Sequence, residues 1–164
     1  MYTEKELEAI ARQFLSRNFQ IDLHIPIKRN NRLRSSLGRY VMDREGSPLR
    51  IELSGYLLTY GKKEVVIGVL KHECIHYAFH QKGKPMEDGT YEFEQALKRY
   101  GAPSTKTLKV GKFYTFLCKK CKKEGETRLK RIRTHHQQYR TKCCHAPVIL
   151  TGEKIYDGGV EERT

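Results

Sequence analysis

The chain has 164 residues, a formal net charge of +13, 38% hydrophobic and 10% aromatic residues. This composition excludes a disordered polyelectrolyte, because the apolar and aromatic content suffices for a core. No apolar run approaches the roughly 18 residues of a membrane span, so no membrane partner is expected.

The N-terminus, Met1 to Glu6, is charged and lacks an apolar signal region, which predicts a cytoplasmic protein with reduced thiols. The five cysteines are therefore read as metal ligands before disulfides. The charge is uneven: residues 118–142 hold 10 basic against 2 acidic residues, a density that favours a polyanionic partner such as nucleic acid.

Thr3 and Glu6 form a capping box, and Leu7, Ile10, Phe14 and Leu15 follow at helical spacing, predicting an amphipathic helix over 4–18. Ile21, Leu23, Ile25 and Ile27 alternate with polar residues and Pro26, the pattern of a half-buried edge strand. Two more strands are predicted at 37–42 and 49–53, joined by a turn at 43–48. In the second, Leu49, Ile51 and Leu53 share one face and Arg50 and Glu52 the other.

A buried helix is expected over 63–81, opening with the apolar run 65–70. A further helix is predicted over 90–100, with Gly101 at its C-terminal cap and Pro103 preventing continuation. The order is α+β. Residues 102–109 read as a linker, followed by a basic, cysteine-bearing segment with strand-like runs such as 112–117. The predicted organisation is a first domain over 1–103, a basic module over 110–156 and a tail over 157–164.

His72-Glu73-Cys74-Ile75-His76 carries the chemistry. It lies in the predicted buried helix, and this H-E-x-x-H pattern is expected by chance only about 0.03 times in such a chain. Histidines four apart share a helical face, so both can bind one zinc, with the intervening Glu73 placed as a general base. Cys74 points away from that face and reads as core.

A catalytic zinc needs a third protein ligand. His80, Glu87, Asp88, Glu92 and Glu94 are available downstream. His80 is eight residues from His72, about 12 Å along a helix, too far to converge easily with it on one ion. Asp88 lies in a turn that can fold back, and it reads equally as ligand or as N-cap of the next helix. Tyr40, Tyr56, Tyr77 and Arg39 are candidates for stabilising an oxyanion.

Cys118-Lys119-Lys120-Cys121 is a metal knuckle, and Cys143-Cys144-His145 follows after 21 intervening residues, close to zinc-ribbon spacing. The usual partner of Cys144 falls at Thr141. In an extended chain the adjacent Cys143 and Cys144 diverge, so His145, His135 or His136 are alternative fourth ligands. A structural zinc there is a second expected cofactor. Lys119, Lys120, Lys122, Lys123, Arg128, Lys130, Arg131 and Arg133 surround the knuckles and are expected to meet DNA phosphates without sequence preference.

The stretch Val69 to Tyr77, with Gly83-Lys84, Asp88 to Phe93 and Gly101-Ala102-Pro103, resembles the SprT-like family, as does Arg32 to Tyr40 followed by Ile51-Glu52-Leu53. The family includes bacterial SprT-like proteins and the metalloprotease domain of Spartan, which cleaves proteins crosslinked to DNA. The resemblance implies a zincin-like minimal metalloprotease domain followed by a small β zinc-ribbon-like module. It implies one catalytic zinc held by His72 and His76, with Glu73 as base and Asp88 standing where the family usually has a third His. It also implies a protein substrate bound or crosslinked to DNA. The alternative is a metal-containing nucleic-acid-binding protein whose protease-like domain is inactive.

Overall fold

A computed structural model describes residues 1–159. The first helix, α1 (Glu4–Phe19), begins at the expected capping box: Thr3 Oγ1 accepts the Glu6 N–H at 3.2 Å, and Glu6 Oε2 accepts the Thr3 N–H at 2.7 Å. Leu7, Ala11, Phe14, Leu15 and Phe19 form its buried stripe.

The strand expected over 21–27 is displaced. Leu23 and Ile25 are buried, so the alternation reflects a real inward face. Residues 21–25 nevertheless have no strand partner among the described residues; the first ladder bond is the Ile51 N–H donated to the Pro26 carbonyl at 3.0 Å. The Tyr77 hydroxyl serves the 22–24 backbone instead, donating to the Asp22 carbonyl at 3.0 Å and accepting the His24 N–H at 3.3 Å. Pairing starts only with β1 (Ile27–Asn30).

The other two strands, β2 (Gly38–Met42) and β3 (Pro48–Ser54), lie close to their predicted positions. The sheet order is β1-β3-β2, with β1 parallel and β2 antiparallel to β3. Ile51 and Leu53 are fully buried, whereas Leu49 is exposed. A short helix, α2 (Gly55–Tyr60), follows at once. Ser54 caps it by accepting the Leu57 N–H at 3.1 Å. It falls in a stretch with no sequence assignment, because six residues carry too little periodicity to register.

The buried helix α3 (Lys63–Gln81) matches its prediction, and α4 (Tyr91–Tyr100) begins one residue later than expected. Gly101 ends α4 at φ 67, the left-handed conformation glycine adopts without strain. The apolar core joins α1, α3, α4 and the inner face of the sheet. The chain is thus α+β.

Beyond a single 3-10 turn at Thr105–Thr107 comes a second sheet. It contains β4 (Val110–Cys118), β5 (Glu124–Thr127) and β6 (Val148–Asp157), antiparallel in the order β5-β4-β6. A short helix, α5 (Ile132–His135), packs Ile132 into a separate cluster with Tyr114 and Val148. Asp157 closes β6, and its carbonyl accepts the Lys62 N–H at 3.0 Å. Of the predicted tail, residues 160–164 lie outside the described residues. Among the described residues, no helix is long and apolar enough to cross a membrane.

Candidate metal centres

Most of α3 is buried, so its register against the core is fixed by packing. His72 and His76 stand one turn apart on it, with ring centroids 5.0 Å apart. Phe93 of α4 stacks on His76 at 4.3 Å and meets His72 edge-on at 5.4 Å. Each ring is also oriented from behind. His72 Nδ1 lies 2.8 Å from the Pro103 carbonyl, and His76 Nδ1 lies 2.6 Å from the Met86 carbonyl.

A carbonyl can only accept, so both Nδ1 atoms carry a proton, and a neutral ring then presents its lone pair at Nε2. Burial first, then the neighbouring His72, holds His76 below the usual imidazole range, which keeps it neutral. This is the orientation that ligating histidines receive from their outer partners.

Both Nε2 atoms point at Asp88 Oδ1, at 3.0 Å from His72 and 3.6 Å from His76. Tetrahedral ligands of an ion at about 2.0–2.2 Å lie roughly 3.3–3.5 Å from one another, so the spacing fits a cation. Facing lone pairs at such distances repel unless a proton or a metal lies between them. Among the described residues, the three ligand atoms form one of two groups able to hold an ion.

Asp88 is not the cap of α4; that position belongs to Thr90, which makes no side-chain cap bond. The loop that presents Asp88 is pinned by Glu94, whose carboxylate accepts the Gly89 N–H at 2.9 Å, and Gly89 sits at φ 90. His80 is drawn off to the Tyr40 hydroxyl at 2.7 Å, and Glu87, Glu92 and Glu94 do not join the group.

Glu73 is buried beside the site under β2. A Cβ on Gly38 would come within 3.0 Å of Glu73 Cγ, so only glycine lets the strand approach this closely. Burial pushes the Glu73 carboxyl up to about 8, the Asp88 charge adds to this, and the Tyr40 backbone N–H opposes it. Cys74 is fully buried in the core, as read.

All four oxyanion candidates have partners, Tyr40 being the one bonded to His80 of the metal-motif helix. Tyr77 serves the 22–24 backbone, Tyr56 accepts from Arg34 at 3.2 Å, and Arg39 pairs with Glu52 at 2.5 Å. Tyr40 faces α3.

Gly68 and Phe93 belong to the centre although neither was singled out for it. A Cβ at Gly68 would meet Pro103 Cδ at 2.8 Å, so glycine admits the proline whose carbonyl orients His72. The signal available in sequence was the i, i+4 relation of Gly68 to His72. The Pro103 and Met86 carbonyls left no signal, since any residue has one.

The second group comprises Cys118, Cys121, Cys143 and Cys144, whose sulfurs lie within 4.8 Å of one another. Cys121 and Cys143 Sγ are 3.6 Å apart, near the roughly 3.8 Å edge of a tetrahedral zinc–thiolate site. All five cysteines of the chain are free thiols.

The two knuckles share one backbone pattern. Cys118 N–H donates to Lys123 O at 2.9 Å and Lys122 N–H to Cys118 O at 2.9 Å. Thr141 N–H donates to Ala146 O at 2.8 Å and His145 N–H to Thr141 O at 2.9 Å. Lys122 and His145 are both left-handed, at φ 62 and φ 51.

Thr141 therefore occupies the place equivalent to Cys118. The expected divergence of Cys143 and Cys144 assumed an extended chain; here 142–144 is a turn, which swings both thiols inward. His145, His135 and His136 stay outside the group. The Thr141 hydroxyl, 3.3 Å from Cys118 Sγ, is the leading cause that brings that thiol down to about 6. Hydrogen bonding from Cys121 is foremost in pushing Cys144 up to about 12.

Lys119, Lys120, Lys122 and Lys123 flank Cys121 and are exposed; Lys130, Arg131 and Arg133 are also exposed, with Arg133 facing Glu153 at 3.6 Å. Arg128 is turned inward: it donates to the Arg34 carbonyl at 2.8 Å and the Val110 carbonyl at 3.1 Å, and lies over the Phe113 ring.

Together these features define an α+β protein whose longest helix and following loop bring two histidines and a carboxylate to one point, with a four-cysteine cluster on a second sheet. The sequence profile of the SprT-like family matches residues 5–110, and the chain belongs to that family. It is similar to proteins named "Protein SprT-like" from three bacteria. The relative from Bacillus velezensis is 32% identical over 73% of this chain and 78% of its own length. That from Bacillus cereus is 30% identical over 72% and 78%, and that from Geobacillus kaustophilus 28% identical over 90% and 99%. No solved structure gives a significant match.

Proposed function

We propose that the protein is a cytoplasmic zinc metallopeptidase with a zincin-like domain over 1–103, acting on proteins bound or crosslinked to DNA. Its module over 110–156 binds nucleic acid without sequence preference. The observation that carries the reading is the convergence of His72 Nε2, His76 Nε2 and Asp88 Oδ1 beside the buried Glu73.

An ion held by these three ligands supplies Lewis acidity, polarising a peptide carbonyl and acidifying water. His72 and His76 orient their lone pairs through the carbonyls of Pro103 and Met86. Glu73 takes the proton from water and passes it to the leaving amine. A dication nearby favours its charged form and offsets the rise that burial imposes.

The outer edge of β2 has no neighbouring strand among the described residues, and apart from the Tyr40 N–H, which is turned to Glu73, it can receive an extended peptide as a further strand. Tyr40 on that strand, bonded to His80, is the candidate for stabilising the oxyanion. The carboxylate at Asp88 brings more negative charge than a third histidine would, which makes the ion a weaker Lewis acid.

A Glu73→Gln variant of the zinc-loaded protein tests the reading, assayed on a DNA-bound protein substrate. We expect the cleavage rate to fall by at least about 100-fold with metal content unchanged. Unchanged cleavage in that variant would overturn the peptidase assignment and leave a metal-containing nucleic-acid-binding protein.

A further inference from the structure

Strand alternation divides β2 and β3 between two environments. Gly38 and Tyr40 face α3, whereas Arg39 points to the opposite side. Ile51 and Leu53 are buried, whereas Arg50 and Glu52 join Arg39 on the outer face. The loop after β1 adds two more arginines. Leu33 is buried and anchors this loop, while its neighbours Arg32 and Arg34 are exposed. These groups line an open cleft of about 580 Å³.

Glu52 forms the floor of the cleft, with its side chain only 5% exposed. It accepts from Arg39 Nε at 2.5 Å, Arg50 Nε at 2.6 Å and Asn30 Nδ2 at 2.9 Å. Both arginines engage Glu52 through Nε, so their terminal amino groups have no partner among the described residues. Arg32 has none for its guanidinium, and Arg34 uses one nitrogen on the Tyr56 hydroxyl.

Two guanidinium groups thus clasp one carboxylate, and two more line the same cleft. Balancing Glu52 needs one arginine; the excess creates like-charge repulsion that an anion would relieve. The carboxylate also fixes two of the forks in advance, which lowers the cost of ordering them on a ligand.

We propose that this cleft is a phosphate site for the backbone of a nucleic acid, separate from the basic face of the C-terminal module. The proposal rests on the nucleic-acid reading above and adds a second, N-terminal contact to it. The chemistry favours a polymer backbone over a free nucleotide, because no aromatic side chain lines the cleft to stack on a base. Guanidinium forks match phosphate oxygens bidentately and read no sequence.

The location supports a continuous track. Arg128 of the module hydrogen-bonds the carbonyl of Arg34, so the loop bearing two of the four arginines touches the module. Arg39 lies between Gly38 and Tyr40, so a strand held in the cleft is one β-strand thickness from Glu73.

The test is the Arg32→Ala/Arg34→Ala double variant of the full, zinc-loaded chain. It is compared with wild type and with a Lys119/Lys120/Lys122/Lys123→Ala variant. Binding to labelled single-stranded and duplex oligonucleotides is measured across a salt series, with thermal midpoint and metal content as folding controls. We expect the arginine variant to bind roughly 10- to 100-fold more weakly near 0.1 M salt. Its log–log salt slope should be shallower by about 1.4 on a single strand and about 1.8 on duplex. Lysine at both positions should restore most of the slope, since the phosphate contact is largely electrostatic.

An unchanged slope in the arginine variant with a reduced slope in the lysine variant overturns the cleft and leaves the module reading intact. The reverse result supports the cleft and removes the module. No binding by wild type overturns both. Displacement of the oligonucleotide from the lysine variant by millimolar ATP, beyond the effect of sodium chloride at equal ionic strength, would reassign the cleft to free nucleotides.

Discussion

His72 and His76 stand on a helix buried on most sides, whereas Cys118, Cys121, Cys143 and Cys144 sit on two turns of a small sheet. The first ligand set is held by protein alone: Phe93 packs on both rings, two carbonyls fix their tautomers, and Glu94 pins the loop carrying Asp88. The second set has little behind it. Its local cluster contains only Tyr114, Ile132 and Val148 as fully buried members. One group of ligand atoms is held by packing, whereas the other has little packing behind it. The two groups are also assembled differently. Asp88 reaches the first site through a loop that folds back, whereas Cys143 reaches the second because a turn brings two neighbouring thiols together.

The largest effect that could break this contrast is metal removal. Chelation, or Cys118→Ser, should unfold the sheet of β4, β5 and β6, because a structural zinc held by the four cysteines would contribute on the order of 10 kcal/mol to so small a module. Amide resonances of α1, α3 and α4 should persist. A module that keeps its resonances without metal would show that its turns are self-supporting.

A smaller effect is expected from Gly68→Ala. The new Cβ would press on Pro103, whose carbonyl orients His72, and loss of such an outer partner typically costs about 10–100-fold in metal affinity. Competition with a chromophoric chelator measures it. Unchanged affinity would mean that the Pro103 contact does not tune the site.

Acid should separate the two regions with a change in stability of comparable size. Thiolate ligands must be deprotonated, so the affinity of the cysteine cluster for an ion should weaken as pH falls. Glu52 behaves differently. Burial alone would raise its pKa, but hydrogen bonds from Arg39, Asn30 and Arg50 outweigh burial and hold it at about 2. A carboxylate depressed below its unfolded value of 4.5 stabilises the fold above that pH and loses its contribution as pH falls from there towards about 2. Glu52→Gln should therefore cost on the order of 2–3 kcal/mol at pH 7 and nothing near pH 2. Urea unfolding followed through α1 and α3 measures the difference. A gap independent of pH would deny the network its electrostatic origin.

The helix frame was largely legible in sequence. The capping box at Thr3, the apolar entry to α3 and Gly101 after α4 act within one or two turns of themselves. The first metal centre was legible as far as residue types carry ligands. Its orienting carbonyls were not, because backbone groups bear no signature and Pro103 lies 31 residues from His72. The strand over 21–27 was misplaced for a related reason: alternation reports an inward face, but the partner is the hydroxyl of Tyr77, more than 50 residues away. Nor could the outer alternation of β2 and β3 disclose the arginine cleft, since the loop holding Arg32 and Arg34 had to fold over the sheet first.

The Pro103 carbonyl that receives the His72 N–H also stands at the root of the short connection into β4. One residue thus serves both as the support of an imidazole ring and as the start of the passage to the second sheet.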